Sequence, residues 1–195
     1  MTPRERRRLA ARIARERGFT ALELARLGCV ADAAECAAEG IFPAAPGFLF
    51  MYPDSDMRRV RYVPNLGDRR YGQRAKSAVE AYYCPLRADW AAVCQDTAIP
   101  VLITEGEFKA AAACKAGFAC IGLGGVFNFA SARLRQTWLP SLDRVKWKGR
   151  KVHVVFDSDA ADNPMVQLAE TRLALRLTDR SAVVHIVRLS SKGAK

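Results

Sequence analysis

The sequence is short of histidine, of paired cysteines and of long apolar runs. It has only two histidines, and none of its six cysteines forms a C-x-x-C pair, so it lacks the ligand pattern of a zinc ribbon. No apolar run is long enough to span a bilayer, and the N-terminus has no signal-peptide core. These absences favour a soluble, cytoplasmic protein whose cysteines are small buried hydrophobic residues.

Acidic residues are also scarce compared with basic ones. The 195 residues include 31 Lys and Arg against 20 Asp and Glu, which gives a formal net charge of +11. Half of the residues are apolar, which is enough to build a core for one domain or one and a half. The positive excess is typical of proteins that bind a polyanion such as nucleic acid. A surface that is simply rich in arginine is the alternative.

Residues 1–44 predict a small helical lead-in. Thr2 is suited to an N-cap and Pro3 to a first helical turn, so a helix is expected from there to Arg17, with Gly18 ending it. Two shorter helices are expected at residues 20–26 and 31–39.

Residues 45–98 predict a basic β-hairpin followed by a loop. The hairpin strands are expected at residues 48–52 and 58–63, on either side of a turn of strong turn formers. The second strand alternates arginine with apolar residues, and more basic residues and tyrosines follow it. This composition suits a strand that follows a nucleic-acid backbone and stacks bases, although a charged edge that prevents aggregation is equally compatible. The candidate nucleic-acid contacts are Arg59, Arg61, Arg70, Arg74 and Lys76.

Residues 99–195 predict an α/β domain in which strands alternate with helices. The predicted strands span residues 99–104, 118–123, 151–156 and 182–189, and the clearest helices span residues 107–116 and 164–179. Gly124 and Gly125 follow the second strand, and a further helix-like stretch then runs through Arg135. By the right-handed crossover rule, this order gives a Rossmann-like sheet of four parallel strands.

Two of these predicted strands end in carboxylates. Glu105 follows one apolar run, and Asp157 and Asp159 follow a later one. In an open α/β sheet, ligands bind beyond the carboxyl ends of the strands, so the three carboxylates are expected to meet at one edge. They would repel one another without a cation, and ligands that are all oxygens suit Mg²⁺ or Mn²⁺. The sequence therefore predicts a metal site for phosphate chemistry.

The same residues resemble a known family. A Glu-Gly pair ending one strand and an Asp-x-Asp ending a later one resemble the Toprim domain of topoisomerases, bacterial primases and related nucleases. Residues 47–193 are similar to the Toprim-like domains of plasmid and phage replication proteins, which are often fused to a helicase-type ATPase. The segments that carry this similarity are Ile103–Ala110, Ile121–Val126, Trp147–Arg150 and Phe156–Ala160.

The resemblance implies a role for each carboxylate. Glu105 corresponds to the proposed general acid/base, and Asp157 and Asp159 correspond to the residues that hold the metal. Such a site moves a proton at the reacting hydroxyl and neutralises charge on the phosphate oxygens.

Three further residues are candidates for phosphate or nucleotide binding. Lys109 lies one helical turn after Glu105, where it contacts a substrate phosphate or balances the charge of Glu105. Gly124 and Gly125 let backbone amides approach an anion, or form a plain tight turn. The cationic residues 147–151 grip DNA or form a solvated loop.

The resemblance implies primase-like nucleotidyl transfer during replication of a plasmid, a phage or another mobile element. It implies a single-stranded DNA template and a helicase-type ATPase as partner, which this sequence does not encode because it has no Walker-type loop. Two alternatives stay open. One is a Toprim nuclease that nicks DNA with the same carboxylates, and the other is a non-catalytic nucleic-acid-binding module.

Overall fold

A computed structural model gives the structure of residues 1–53, 55–131, 134–157 and 163–189. The chain forms two compact units, Met1–Ala78 (the first unit) and Val79–Lys195 (the second unit). Each unit has its own sheet and its own helices, so the protein belongs to the mixed α/β class. The predicted middle region, residues 45–98, extends across the boundary between the units, because its hairpin belongs to the first sheet and its later residues to the second.

The helices of the first unit follow local capping signals. Thr2, Thr20 and Asp32 each accept a hydrogen bond from the amide three residues ahead and form a capping box with the glutamate there. Gly18, with φ of 71°, ends the first helix in the left-handed conformation. The three predicted helices are confirmed. They are α1 (Pro3–Arg17), α2 (Ala21–Leu27) and α3 (Ala33–Ala38).

The sheet of the first unit has four antiparallel strands in chain order. They are β1 (Gly28–Ala31), β2 (Gly47–Met51), β3 (Arg58–Leu66) and β4 (Arg69–Gln73). The predicted hairpin is confirmed as β2 and β3, with Phe48 opposite Arg61. The outer strands were not predicted, because β1 was interpreted as a break between helices and β4 as a loop. Both are short, and pairing with β2 or β3 makes them strands.

The sheet of the second unit is mostly parallel. Its strands are β5 (Tyr82–Tyr83), β6 (Val101–Glu105), β7 (Ala119–Leu123), β8 (Lys151–Val155) and β9 (Val183–Ile186). They lie in the order β5-β7-β6-β8-β9, and each pair is parallel except β5 with β7. The predicted alternation of parallel strands with helices is confirmed in the form of a mostly parallel sheet. The sheet has five strands instead of four, because β5 adds an antiparallel edge.

Within the described residues of the second unit, three α-helices accompany this sheet. They are α4 (Trp90–Gln95), α5 (Glu107–Lys115) and α6 (Pro164–Thr178). α5 connects β6 to β7, and α6 connects β8 to β9. The N-cap of α6 is Asn163, whose side chain accepts hydrogen bonds from two backbone amides. In the parts of the chain that the structure describes, no helix has both the length and the apolar character needed to cross a membrane.

The prediction of a helix-like stretch between Gly125 and Arg135 was wrong. The described residues of this stretch form turns, and Ser131 pairs with Gln136 in an isolated bridge. The amide of Leu139 also donates to the carbonyl of Phe129 at 2.9 Å, which ties the stretch to the segment that follows it. These cross-links use backbone groups that a continuous helix would need. A 3₁₀ turn follows at Pro140–Arg144.

Candidate functional site

The carboxyl edge of the second sheet carries the predicted catalytic residues that can be described. β6 and β8 are parallel neighbours, with Thr104 aligned with Val155. Glu105 is the last residue of β6, and Asp157 lies two residues beyond β8. The two acidic residues therefore follow adjacent strands at the same edge of the sheet. Asp159 lies outside the described residues.

A glycine determines how the chain leaves this edge after Glu105. Gly106 has φ of 88° and serves as the N-cap of α5, in a region of backbone space that favours glycine. Its amide donates to the carbonyl of Leu123 at 2.7 Å. The Glu-Gly pair thus lets α5 begin directly after β6 and ties the turn to the end of β7.

Lys109 is the closest described cation to Asp157. Its Nζ forms an ion pair with Oδ1 of Asp157, and the two side chains are 46% and 45% exposed. The sequence suggested that Lys109 contacts a phosphate or balances the charge of Glu105, and in the structure it pairs with Asp157. An ion pair this exposed contributes little to stability. Its effect is to hold a positive charge beside the predicted metal ligand.

The donor chemistry of this edge fits a hard divalent cation. Glu105 and Asp157 offer oxygen ligands, and Mg²⁺ keeps several waters and commonly uses only one or two carboxylates. Among the described residues, no three His, Cys, Asp or Glu side chains are grouped to hold a metal. The third predicted ligand, Asp159, lies outside those residues. The structure therefore describes two of the three predicted ligands, Glu105 and Asp157.

Glu107 is separated from this edge by burial. It lies in the first turn of α5 and is only 1% exposed. Its charge is one of the influences that raise the pKa of Tyr82, after burial and Cys84. Glu107 therefore lies beside the tyrosine in the core, in a position that favours a structural role over metal binding.

The geometry of the two glycines after β7 does not indicate one particular role. Gly124 and Gly125 form a bend and are half-buried. A Cβ built on Gly125 would approach only the side chain of Asn128, at 3.6 Å or more, which is an ordinary contact. The backbone at Gly125 thus does not require glycine, and phosphate binding by this pair stays a prediction.

In the first unit, two of the predicted nucleic-acid contacts stack on Tyr71. Arg59 is 7% exposed, and its guanidinium lies 4.2 Å from the centre of the Tyr71 ring. Arg61 lies 5.1 Å from the same ring and donates to Oδ1 of Asn65 at 2.8 Å. Burial lowers the pKa of the Arg61 guanidinium. Both arginines therefore help to build the sheet.

The remaining candidates of the first unit differ in their surroundings. Arg74 donates to the carbonyl of Glu39 at 2.9 Å, and its guanidinium lies 3.7 Å from the Glu39 carboxylate. Arg70 and Lys76 are exposed. Arg74 is exposed as well, but its guanidinium is engaged with Glu39, so Arg70 and Lys76 are better placed to contact a nucleic-acid backbone.

The cationic segment at residues 147–151 is partly core. Arg150 is 0% exposed, and Trp147 is buried beside it. The Arg150 guanidinium donates to four backbone carbonyls at 2.7 to 3.2 Å, those of Lys146, Ile99, Val93 and Cys94. Arg150 is therefore neither exposed for contact with DNA nor part of a solvated loop. It joins three segments of the chain.

A groove on the second unit was not predicted from the sequence. It has a volume of about 950 Å³ and lies between the turns after β7 and helix α6. Its lining includes Phe127, Asn128, Gln136, Arg172 and Arg176. The available signal was the spacing of the arginines on α6, which recur every fourth residue and so share one helix face.

The second unit is thus an α/β domain with acidic residues at the carboxyl edge of a mostly parallel sheet. The chain belongs to the family described as Domain of unknown function (DUF3854), whose model matches residues 89–195, more than half of the chain. The match includes Glu105, Lys109 and Asp157 and lies wholly within the second unit. Comparison with curated proteins and with solved structures gave no match.

Proposed function

We propose that the second unit is a Toprim-like domain that performs metal-dependent phosphoryl chemistry on nucleic acid. The reaction is a primase-like nucleotidyl transfer in the replication of a plasmid, a phage or another mobile element. The observation that carries the proposal is the position of Glu105 and Asp157 at the ends of adjacent parallel strands. The sequence order of these carboxylates and the glycine turn after Glu105 agree with the Toprim resemblance.

The carboxylates have two roles, which are to hold the metal ion and to transfer a proton. When bound, Mg²⁺ or Mn²⁺ neutralises negative charge on the non-bridging phosphate oxygens. Asp157, with Asp159 two residues later, supplies carboxylate oxygens to hold the ion. Glu105 takes the proton from the attacking hydroxyl or returns it to the leaving oxygen.

Lys109 and the start of α5 provide positive potential at the same edge. The Lys109 ammonium already lies beside Asp157, within the region where a phosphate would approach the metal ligands. The first turn of α5 adds the partial positive charge of a helix N-terminus. In this proposal Lys109 exchanges its contact with Asp157 for a phosphate oxygen when substrate binds.

The choice of substrate is supported by the net charge of the chain and by the Toprim resemblance. The net charge of +11 favours a polyanion. The Toprim-like domains of replication proteins imply a single-stranded DNA template and a helicase-type ATPase, either as a further domain or as a separately encoded protein. A nuclease would use the same carboxylates with water as the nucleophile, so product analysis separates the two reactions.

The test compares wild-type protein with Asp157→Asn and Glu105→Gln. Each is incubated with Mg²⁺ or Mn²⁺ and either single-stranded templates with nucleotides or supercoiled plasmid. Both variants should lose product formation by at least a hundredfold. The affinity of Asp157→Asn for DNA should stay the same or rise, since a negative charge facing phosphate is removed. Asp68→Asn, in an exposed turn of the first unit, is the matched control and should keep full activity.

The products decide between the proposed reactions. Template-dependent extension supports the primase-like reaction, and nicked plasmid without extension assigns the nuclease reaction. If wild-type protein forms no metal-dependent product, also with a helicase encoded beside it, the non-catalytic binding module is correct.

A further inference from the structure

The groove on the second unit combines three kinds of side chain. One wall consists of residues 127–130 and 136–137, and the other is α6. Phe127 contributes an aromatic ring, Asn128 and Gln136 contribute amides, and Arg172 and Arg176 contribute positive charge. Amides both donate and accept hydrogen bonds, so the groove offers partners for a ligand with a flat ring, polar edges and negative charge.

The arginines form a row along α6. Arg172 and Arg176 are four residues apart on α6, so they lie on one face with an axial rise of about 6 Å between them, and Arg180 follows two residues after the helix ends. Arg172 and Arg176 are exposed and line the groove, as does Asp179, whose carboxylate lies 3.8 Å from the Arg176 guanidinium in an exposed ion pair that a phosphate can replace. Arg180 packs on the ring of Trp138 at 3.9 Å and donates to the carbonyl of Arg176. The first two members of the row are thus accessible to successive phosphates, and the third anchors the helix to the opposite wall.

Phe127 is placed to stack a base next to this row. The ring is half-buried, and the Arg172 guanidinium lies 6.0 Å from its centre. Aromatic rings beside a cationic groove are the usual platform for single-stranded nucleic acid, because every base has a π-face. A duplex would present its phosphates to the groove but keep its bases stacked on each other, and Phe127 would then have no base to contact.

The groove also begins near the carboxyl edge of the sheet. Its helical wall, α6, follows β8 and Asp157, and Met165 in the first turn of α6 lines the groove. Its other wall follows β7, which ends at Leu123 on the same edge. A strand lying in the groove would therefore lead towards the residues proposed to act on phosphate.

We propose that this groove binds single-stranded nucleic acid, with Arg172 and Arg176 on consecutive phosphates and Phe127 stacked on a base. The inference deepens the proposed function, because it names the path of the substrate and rests on that function for the choice of ligand. Binding needs neither the metal nor Glu105 and Asp157, so it is measured separately from catalysis.

The experiment measures anisotropy of a fluorescent 20-nucleotide oligothymidine with the full chain in EDTA. Arg172→Ala/Arg176→Ala should lower affinity at least tenfold and reduce the slope of log affinity against log salt by about 1.4, as expected for two phosphate contacts. Phe127→Leu keeps an apolar side chain but removes the ring. It should lower affinity by about fivefold to tenfold and leave the salt slope unchanged.

The matched control removes equal charge elsewhere on the second unit. Lys115 and Lys146 are exposed and do not line the groove, so Lys115→Ala/Lys146→Ala should change affinity less than threefold. The proposal is overturned if the control loses as much affinity as the arginine pair, or if Phe127→Leu binds like wild type. Far-ultraviolet circular dichroism should show that all variants are folded.

A second measurement locates the strand directly. Oligonucleotides containing 4-thiothymidine should photocrosslink to peptides that carry Phe127 or Met165, and crosslinks exclusively in other peptides would overturn the proposal. If these results hold but wild-type protein makes no product, the proposed catalysis fails and the groove stands. If Asp157→Asn abolishes product formation while the groove variants bind normally, the groove fails and the catalytic proposal stands.

Discussion

The ammonium of Lys109 lies against the carboxylate of Asp157, although the two residues are 48 positions apart in the chain. The contact joins the first turn of α5 to the residue two positions beyond the end of β8. It means that a cation bound by Asp157 must compete with a cation that the protein itself provides. The first prediction follows from this competition.

Replacing Lys109 with methionine should increase the affinity for divalent metal. Lys109→Met keeps a long side chain but removes the charge, so metal affinity should rise by about twofold to fivefold, the range of an exposed ion pair. Titration with Mn²⁺, followed by electron paramagnetic resonance, measures the change. Turnover should fall in the same variant, because the phosphate loses its lysine contact.

Lys115→Met, at the other end of α5, is the control and should leave both quantities unchanged. Equal or weaker Mn²⁺ binding by Lys109→Met would show that the ion pair does not compete with metal at Asp157.

Replacing Arg150 should unfold the second unit more easily. Arg150→Met leaves four carbonyls without the guanidinium that they share, and buried unpaired acceptors are costly. We expect the free energy of unfolding to fall by about 3 kcal/mol. Arg150→Lys should rescue it only in part, because an ammonium does not reproduce the planar fork.

Urea denaturation measures these differences. Lys148→Met, two residues away and exposed, should change stability by no more than about 0.5 kcal/mol. A similar small change in Arg150→Met would show that the buried guanidinium is dispensable.

The basic residues of the first unit should separate into a binding pair and a structural pair. Arg70→Ala/Lys76→Ala should weaken nucleic-acid binding and flatten its dependence on salt, since both side chains are exposed. Arg59→Ala/Arg74→Ala should mainly lower stability, because Arg59 stacks on Tyr71 and Arg74 bonds to Glu39.

Anisotropy titrations at several salt concentrations and urea denaturation of the same two variants test this division. The quadruple change of Arg59, Arg61, Arg70 and Arg74 to alanine should show both effects. Unchanged affinity and salt slope in Arg70→Ala/Lys76→Ala would leave these charges with a solubility role.

Acid should weaken the first unit through Glu35. A hydrogen bond from the Arg6 guanidinium, together with one from the backbone amide of Asp32, holds the pKa of Glu35 below its usual value of 4.5. Because the folded pKa is the lower one, the stabilisation is complete above pH 4.5 and is lost as pH falls through the folded pKa. The stability difference between wild type and Glu35→Gln should therefore shrink below about pH 4.5.

Urea denaturation at pH 7 and at pH 3 measures this difference. Glu16→Gln, whose carboxylate lies 3.9 Å from Arg12 on an exposed helix face, serves as the control for removing a glutamate from the same unit. A difference between wild type and Glu35→Gln that is equal at the two pH values would exclude the proposed linkage.

Local sequence signals determined much of the fold. Thr2, Pro3 and Gly18 marked the limits of α1, and Asn163 and Pro164 marked the start of α6. The apolar runs before Glu105 and Asp157 predicted two strands of one parallel sheet with acidic residues at their ends, and β6 and β8 are such strands. These features were predictable because caps and strand periodicity depend on residues close together in the chain.

Tertiary contacts decided the remainder. The sequence suggested a strand within residues 78–84, but only pairing with β7 limits β5 to Tyr82–Tyr83 and makes it an antiparallel edge of this sheet. Arg59 and Arg150 looked like surface cations in the sequence, yet packing against Tyr71 and binding of distant carbonyls bury them. The Lys109–Asp157 pair likewise depends on two strands being adjacent. Burial and partner choice are set by residues far apart in the chain, so a local pattern does not determine them.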